Sequence, residues 1–418
     1  MSDEQSATIN IEGKLFHSGK IIDATIKIED GVIKEIKKDA KGERISGLIL
    51  PCAIDVHVHF RDFKENYKET IETGSLSALY GGVCLVIDQP NTNPPVDSYE
   101  IYSKRVSIAN KKSYIDYSLN FGVTKRNLKK VHMTLDKIEK KLKVKVPAVG
   151  ETFLAHDDPI LQIDVSDLIN LNVNNKLITI HAEDPNLIRS SELESPNFYT
   201  RPPEAEISAL KKCAPLNKRL YFCHVTLKDS VKIIKKYNKF CEVTLHHLIF
   251  STQNYPKYPN VNPPLRDPKQ KVSFSDLNFV DVIASDHAPH LLDEKKKGLP
   301  GFPGVEVLYP ILIYLVKNNV LSLDQVIKLL CINPSKIFNF KLYGEIKENK
   351  YANLAVFNLS NIKTIKSSKL HSKCDWSPYN NFKAIFPEKV FIRGVLALDS
   401  EEVLIDPGFG QIPLISSK

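Results

Sequence analysis

His57 and His59 stand two residues apart in the run Ile54-Asp55-Val56-His57-Val58-His59-Phe60-Arg61-Asp62. Side chains two apart on a β-strand share a face, so the two imidazoles point the same way. Such a pair can chelate a metal, although a bare pair also occurs as ordinary polar residues at a strand end. Three further apolar runs end in a residue of ligand type. His181 closes Leu177-Ile178-Thr179-Ile180, His224 closes Leu220-Tyr221-Phe222-Cys223, and Asp286 closes Val282-Ile283-Ala284-Ser285. Nitrogen and oxygen donors of this kind suit a borderline metal such as zinc. Five exceed the usual three protein ligands of a mononuclear catalytic site, and the surplus points to two metals sharing a hydroxide.

Other polar residues follow the same strands. Arg61, two after His59, has a guanidinium that can hold a carboxylate in a bidentate pair. Asn91 lies in Gln89-Pro90-Asn91-Thr92-Asn93-Pro94-Pro95, Asn262 in Val261-Asn262-Pro263-Pro264-Leu265-Arg266, and His290 four residues after Asp286. Asn91 alone reads as a turn residue, and any one of these by itself is weak evidence. Together they describe a pocket for a small polar anion.

Positioning these residues needs a scaffold that brings distant strand ends together. Strand-like runs alternate with helix-like stretches about eight times: Ile54 to Phe60, Val83 to Ile87, Tyr117 to Val123, Val144 to Val149, Leu177 to His181, Leu220 to His224, Glu242 to His246 and Val280 to Ser285. That alternation predicts an α/β chain folded as a (β/α)8 barrel, with its site at the C-terminal strand ends. Short strands also occupy both ends, from Ala7 to Ile36 and from Ala355 to Ile405, and neither set closes a core alone. The expected division is 1–52 and 341–418 as two parts of one small β-sandwich, with 53–340 as the barrel.

The 418 residues are 42% hydrophobic and 25% charged, an ordinary globular composition that excludes wholesale disorder. No run reaches the length of a membrane helix; Val305 to Val316 is too short and carries Glu306 and Pro310. The polar start Met1-Ser2-Asp3-Glu4-Gln5 does not read as a signal peptide. The net charge of +8 comes from scattered lysines without interleaved aromatics, which argues against nucleic acid and is compatible with drawing in an anionic substrate. Seven cysteines without a CxxC pair predict buried, reduced thiols and a cytoplasmic location.

The segments DVHVHFRD, KETIETGS, PNTNPPV, HAED, RPPEAEISAL, HVTLKDS, EVTLHHL, VNPPLR, SDHAPH, PGVEVLYP, NPSKIF and YGEIKENKYANLAVF, in this order, resemble the dihydroorotases of the amidohydrolase superfamily over nearly the whole chain. HxH is shared by many amidohydrolases; the combination of FRD, PNTNP, NPPLR and DHAPH is far more specific. The resemblance implies a barrel with a β-domain built from both termini. It also implies His57 and His59 as ligands of one zinc, His181 and His224 as ligands of a second, and Asp286 as catalytic carboxylate and metal contact. Arg61, Asn91, Asn262 and His290 then resemble substrate contacts, and the backbone at Pro303 and Gly304 the segment over the substrate ring.

One position departs from the family pattern. Many members place a carboxylated lysine between the metals, and here Glu151 falls at that position. It keeps a carboxylate but has roughly 4 Å less reach, comparable to the usual spacing of paired metals. Glu151 bridges only if its strand shifts inward; otherwise it binds one metal, or one metal site is weak or empty, or Glu151 is simply a polar strand-end residue, and Asp157 or Asp158 competes for the role. The loop Asp62-Phe63-Lys64-Glu65 also departs from the usual Glu-Pro-Gly. His246 and His247 read as structural, His287 as a residue that orients Asp286, and Cys223 as core on the far side of its strand.

The implied reaction is the reversible closure of N-carbamoyl-L-aspartate to L-dihydroorotate and water in pyrimidine biosynthesis. A metal-bound hydroxide is the expected nucleophile, Asp286 the proton carrier, and one or two zinc ions the cofactor, with two favoured. Three rivals stand beside it: an allantoinase or dihydropyrimidinase, whose neutral rings lack the carboxylate Arg61 would hold; an inactive scaffold for aspartate transcarbamoylase; and a nucleic-acid binder. The resemblance leaves room for a homodimer and for association of an active enzyme with aspartate transcarbamoylase.

Overall fold

A computed structural model describes residues 8–38, 41–189 and 196–414. The expectations for Met1 to Gln5, and Ala7 at the head of the first expected strand, lie outside these residues.

Eight parallel strands form the centre: β5 (Ala53–Val58), β6 (Val83–Asp88), β7 (Asp116–Leu119), β8 (Ala148–Phe153), β9 (Leu177–His181), β10 (Leu220–Phe222), β11 (Phe240–Thr244) and β12 (Val282–Ala284). They precede and follow one another as two parallel sheets, β5-β6-β7 and β8 through β12. Parallel bridges close both seams, Phe121 with Val149 and Val58 with His287. Nearly every strand residue is buried on both faces, which is why these runs read as continuously apolar rather than alternating.

Helices α1 (Ile71–Tyr80), α2 (Tyr99–Lys112), α3 (Val131–Leu142), α4 (Val165–Asn170), α5 (Pro203–Cys213), α6 (Lys228–Lys236), α7 (Leu245–Ile249) and α8 (Leu292–Lys296) follow the strands in turn, and α9 (Val305–Lys317) completes the ring. Their ends are written in the sequence. Thr70 caps α1 by accepting from Thr73 N at 3.1 Å, and Ser98 caps α2 by accepting from Ile101 N at 3.3 Å. Helix α5 opens with Pro203, Glu204 and Glu206 and closes with Lys211 and Lys212, in keeping with the helix dipole.

The termini meet as expected. Strands β1 (Thr8–His17), β2 (Lys20–Glu29), β3 (Val32–Lys37) and β4 (Glu43–Pro51) join β13 (Leu354–Phe357), β16 (Pro387–Ile392), β17 (Val395–Asp399) and β18 (Glu402–Val403) in one eight-stranded sheet, while β14 (Lys363–Thr364) and β15 (Lys383–Ala384) pair separately. The β3 edge bonds back to the segment before β13, with Ile33 N donating to Lys350 O at 2.8 Å. The sheet encloses its own core of Ile11, Leu15, Ile26, Ile28, Ile33 and Ile49.

Several strand boundaries differ from the reading of the sequence. The fourth barrel strand runs Ala148–Phe153 rather than from Val144, the third ends at Leu119, and the seventh ends at Thr244. His246 and His247 therefore sit in α7, not on a strand. All seven cysteines are buried and unpaired, and no helix among the described residues is long and apolar enough to cross a membrane.

Candidate metal centre and substrate pocket

The strand ends bring their polar residues to one point. His57 lies one residue before the end of β5 and His59 just beyond it; His181 ends β9, His224 follows β10 and Asp286 follows β12. Glu151, inside β8, lies between them. Its Oε2 is 3.3 Å from His57 Nε2 and 4.0 Å from His59 Nε2. Its Oε1 is 2.7 Å from His224 Nε2 and 3.4 Å from His181 Nδ1. Asp286 Oδ1 adds contacts of 3.0 Å to His59 Nε2 and 3.6 Å to His57 Nε2. The donors form two sets that share Glu151: His57, His59 and Glu151, and Glu151, His181 and His224.

Glu151 reaches this place because its strand is bulged. Between Val149 and Thr152 β8 carries one more residue than its partner β9 spans between Ile178 and Ile180. A bulge bends the strand and re-aims a side chain, and here it carries the shorter carboxylate inward. Gly150 makes the bulge possible: its φ is +122°, and a Cβ there would lie 2.3 Å from Thr179 O. Asp157 and Asp158, the competing candidates, are exposed and join neither donor set.

Acceptors on the outer side fix three of the four rings. His57 Nδ1 donates to Glu242 Oε1 at 2.5 Å, His59 Nδ1 to Asn91 Oδ1 at 2.9 Å, and His181 Nε2 to Glu183 Oε2 at 2.8 Å. Each bond orients its ring so that the other ring nitrogen faces the centre. His57 Nε2 is buried there without a hydrogen-bond partner among the described residues. The carboxylates dominate the local electrostatics. Burial opposes charge on His57, but Glu242 and Glu151 raise its pKa well above the usual range. Burial likewise opposes charge on His181, yet Glu151 and Glu183 lift it to about 9. Burial would raise the carboxyls of Glu151 and Asp286, but the surrounding imidazoles hold both below their ordinary values.

The ligand cluster forms one side of a cavity of about 260 Å³. Arg61, Asn91, Asn262 and His290 are among its lining residues. Arg61 Nη2 donates to His290 Nε2 at 3.2 Å, and Arg61 Nε to Pro289 O at 3.3 Å. His290 Nδ1 faces Glu294 Oε2 at 3.3 Å. Burial and the nearby Arg61 and Lys68 cations push the His290 pKa down to about 3, although Glu294 opposes them, which favours the uncharged ring beside the Arg61 cation. Pro303 and Gly304 do not line the cavity. The segment over it is Leu299, Pro300 and Gly301, while Gly304 N donates to His287 Nδ1 at 3.1 Å.

Several residues were missed in the sequence. Glu183, Glu242 and Arg201 form the outer layer; Arg201 Nε donates to Glu183 at 3.1 and 3.2 Å. Glu183 sits two residues after His181 in HAED, so a shared direction was readable, but its partners were not. Glu242 pairs with His57 across 185 positions of sequence, which no local pattern reveals. Cys223, expected on the far side of its strand, has its sulfur within 4.8 Å of His57 and Glu242 ligand atoms. The reason is the turn after β10, where His224 takes φ +35°.

These residues fit metal binding. Zinc–nitrogen and zinc–oxygen bonds of about 2.1 Å in a tetrahedral arrangement put neighbouring donors about 3.4 Å apart. The donor separations here, 2.7 to 4.0 Å, scatter about that value. Comparison with known proteins agrees with the geometry. Residues 48–397 match the Amidohydrolase family. The chain is 46% identical to a dihydroorotase of Archaeoglobus fulgidus over 94% of this chain and 97% of that one. It is 34% identical to a dihydroorotase of Pyrococcus abyssi over 94% and 96%. In fold it is similar to an L-hydantoinase (dihydropyrimidinase) from Arthrobacter aurescens, with TM-score 0.88 at 22% identity over 96% and 98% of the two chains. A dihydropyrimidinase from Brevibacillus agri gives TM-score 0.84 at 21% identity, covering 99% and 100%. The neighbours in structure speak for the fold alone, but the family match and the relatives in sequence span the barrel and the β-domain together, and the chain belongs to the amidohydrolase family, within its dihydroorotases.

Proposed function

We propose that this chain is a metal-dependent dihydroorotase, which interconverts L-dihydroorotate with N-carbamoyl-L-aspartate, and that it would hold two zinc ions, with Glu151 in both ligand sets. The observation that carries the substrate assignment is the buried Arg61 guanidinium on the cavity wall beside His290. A carboxylate-bearing ring satisfies that cation, whereas a neutral hydantoin or dihydropyrimidine leaves the buried guanidinium without a counter-charge. This separates the chain from the dihydropyrimidinases whose fold it shares.

His57, His59, Glu151 and Asp286 would hold one ion, and Glu151, His181 and His224 the other. Bound metal supplies Lewis acidity and acidifies water from a pKa of about 15.7 toward about 7. The rest of the chemistry belongs to the chain. Arg61 pairs with the substrate carboxylate, with Asn91 and Asn262 beside it, and this fixes the ring over the ligand cluster. Asp286 starts ionised, takes a proton from the attacking water on Oδ2, and delivers it to the departing ring nitrogen. Oδ2 accepts no hydrogen bond among the described residues, so it is free for that role. In the synthetic direction the same carboxylate runs the transfer in reverse.

The test is a rate comparison on dihydroorotate, dihydrouracil and hydantoin, with wild type and Arg61→Ala. Dihydroorotate should be strongly preferred, and the variant should lose about 1.5–3 kcal/mol of binding, roughly a ten- to 150-fold rise in KM. A faster reaction of dihydrouracil, or an unchanged KM in the variant, would overturn the assignment. The same reading includes a cytoplasmic enzyme, a homodimer and contact with aspartate transcarbamoylase, which sedimentation with and without that enzyme tests directly.

A further inference from the structure

Helix α2 buries a stripe of Tyr102, Arg105, Val106 and Ala109 against the barrel. Three of these suit an apolar interface. The fourth is a guanidinium with 0% exposure. A buried ion pair is a poor source of stability compared with well-packed apolar residues, so its presence calls for another explanation.

Its bonds supply one. Arg105 Nε donates to Asp88 Oδ2 at 2.9 Å, Nη2 donates to the same oxygen, and the Tyr117 hydroxyl donates to it at 2.5 Å. Asp88, at the end of β6, uses its other oxygen to accept from Phe60 N at 3.0 Å. Arg105 Nη1 donates to the carbonyl of Arg61 at 2.7 Å. The guanidinium also lies 5.2 Å from the centre of the Phe63 ring. One buried pair thus grips the chain at Phe60, Arg61 and Phe63.

The gripped segment is strained. Arg61, Asp62 and Phe63 have φ of 45°, 58° and 47°, three successive residues other than glycine in the left-handed region. Such a run persists only when its surroundings over-determine it. Asp62 contributes by accepting from Phe63 N at 2.8 Å and Ile71 N at 3.2 Å. The turn carries Arg61 off the end of β5 and into the cavity wall, where it meets Pro289 and His290.

We propose that Arg105, braced by Asp88 and Tyr117, is a positioning residue that holds the left-handed turn at 61–63 and so sets how tightly Arg61 grips the substrate carboxylate. The inference rests on the role proposed above for Arg61. Arg105 does not line the cavity and touches no metal-ligand candidate, so its effect belongs in substrate binding, not in metal content.

The experiment is a double-mutant cycle of Arg105→Lys with Arg61→Ala, reading KM and kcat for dihydroorotate, metal per chain and Tm. Lysine keeps the charge but cannot span Asp88 and the Arg61 carbonyl at once. Arg105→Lys should raise KM about tenfold, the scale of one lost charge-assisted bond, with kcat changed by less than about threefold and metal unchanged. In the Arg61→Ala background the same substitution should change KM by less than about twofold. An equal KM factor in both backgrounds would mean a general structural effect and would overturn the proposal. So would an unchanged KM in Arg105→Lys when Arg61→Ala alone raises it. An unchanged KM in Arg61→Ala instead refutes the role of Arg61 itself. Should Arg105→Lys fail to fold, Tyr117→Phe removes a single hydrogen bond and is read by the same cycle, with an expected rise of about two- to threefold.

Discussion

Glu151→Gln separates the two donor sets. Site by site, the loss is unequal. The set built on His57 and His59 keeps Asp286 as a third ligand, whereas the set built on His181 and His224 keeps two nitrogens only. Two imidazoles fall short of the three protein ligands a catalytic site ordinarily offers, so the second ion should leave. Half a carboxylate charge at about 2.1 Å from a dication is worth about 8 kcal/mol at an effective dielectric of about 20. Even if rehydration recovers three-quarters of that, about 2 kcal/mol remains, roughly a 30-fold loss of affinity. Metal per chain after dialysis against a weak chelator, with a competition titration of the second equivalent, measures this without reference to activity. The expected result is two equivalents in wild type and one in Glu151→Gln. Glu151→Asp should give an intermediate affinity, because one fewer methylene draws both oxygens back by about 1.5 Å. Two equivalents bound by Glu151→Gln with wild-type affinity would refute the bridge.

Other perturbations test the surrounding layers. Asp286→Asn keeps the shape but cannot hold the transferred proton, so kcat should fall by at least about 100-fold, the lower range of acid–base contributions, and a variant with bound metal and near-normal kcat would remove Asp286 from that role. Glu183→Gln should weaken the site of His181 by about 10- to 100-fold in metal affinity, as losses of outer ligand partners do; unchanged affinity would make the Glu183–Arg201 pair structural only. His246 is buried, neither ring nitrogen has a hydrogen-bond partner among the described residues, and burial lowers its pKa to about 4. The unfolded chain, titrating near 6.5, binds more protons between those values, so stability is full above about pH 6.5 and falls as pH drops toward 4, by about 3 kcal/mol. Urea unfolding of wild type and His246→Leu across pH 4 to 7 reads this directly, and parallel curves would exclude His246 as the cause.

The arrangement of the metal-ligand candidates was legible because barrel strands translate into sequence with little loss. Each is an apolar run, each ends where its polar residue begins, and the topology alone then gathers His57, His59, His181, His224 and Asp286. Glu151 was found by alignment to a motif, but its geometry was not readable. Val144 and Val146 alternate like a strand and drew the expected boundary four residues too early. The bulge at Gly150 leaves no pattern that distinguishes it from an ordinary strand glycine. The loop over the cavity was misplaced by a few residues for a related reason: Pro300-Gly301 and Pro303-Gly304 repeat the same dipeptide, and only the tertiary contact with His287 shows which one is anchored away from the cavity.

Arg105 shows what a sequence reveals when a local rule is broken. Helical spacing places Tyr102, Arg105, Val106 and Ala109 on one face, and a cation on that stripe contradicts the pattern that its neighbours establish. Glu183 and Glu242 break a similar rule, as carboxylates within or just beyond buried strands. In each case the exception sits behind a residue of the candidate site: Arg105 behind Arg61, Glu183 behind His181, Glu242 behind His57. The partner cannot be named from sequence because the pairs close over 44 and 185 positions in two of the three cases. The exception itself can be seen. Charged residues on otherwise apolar buried faces are therefore the positions to examine in barrels of this kind, since burying an ionic group is too costly to persist without a bond that fixes something else.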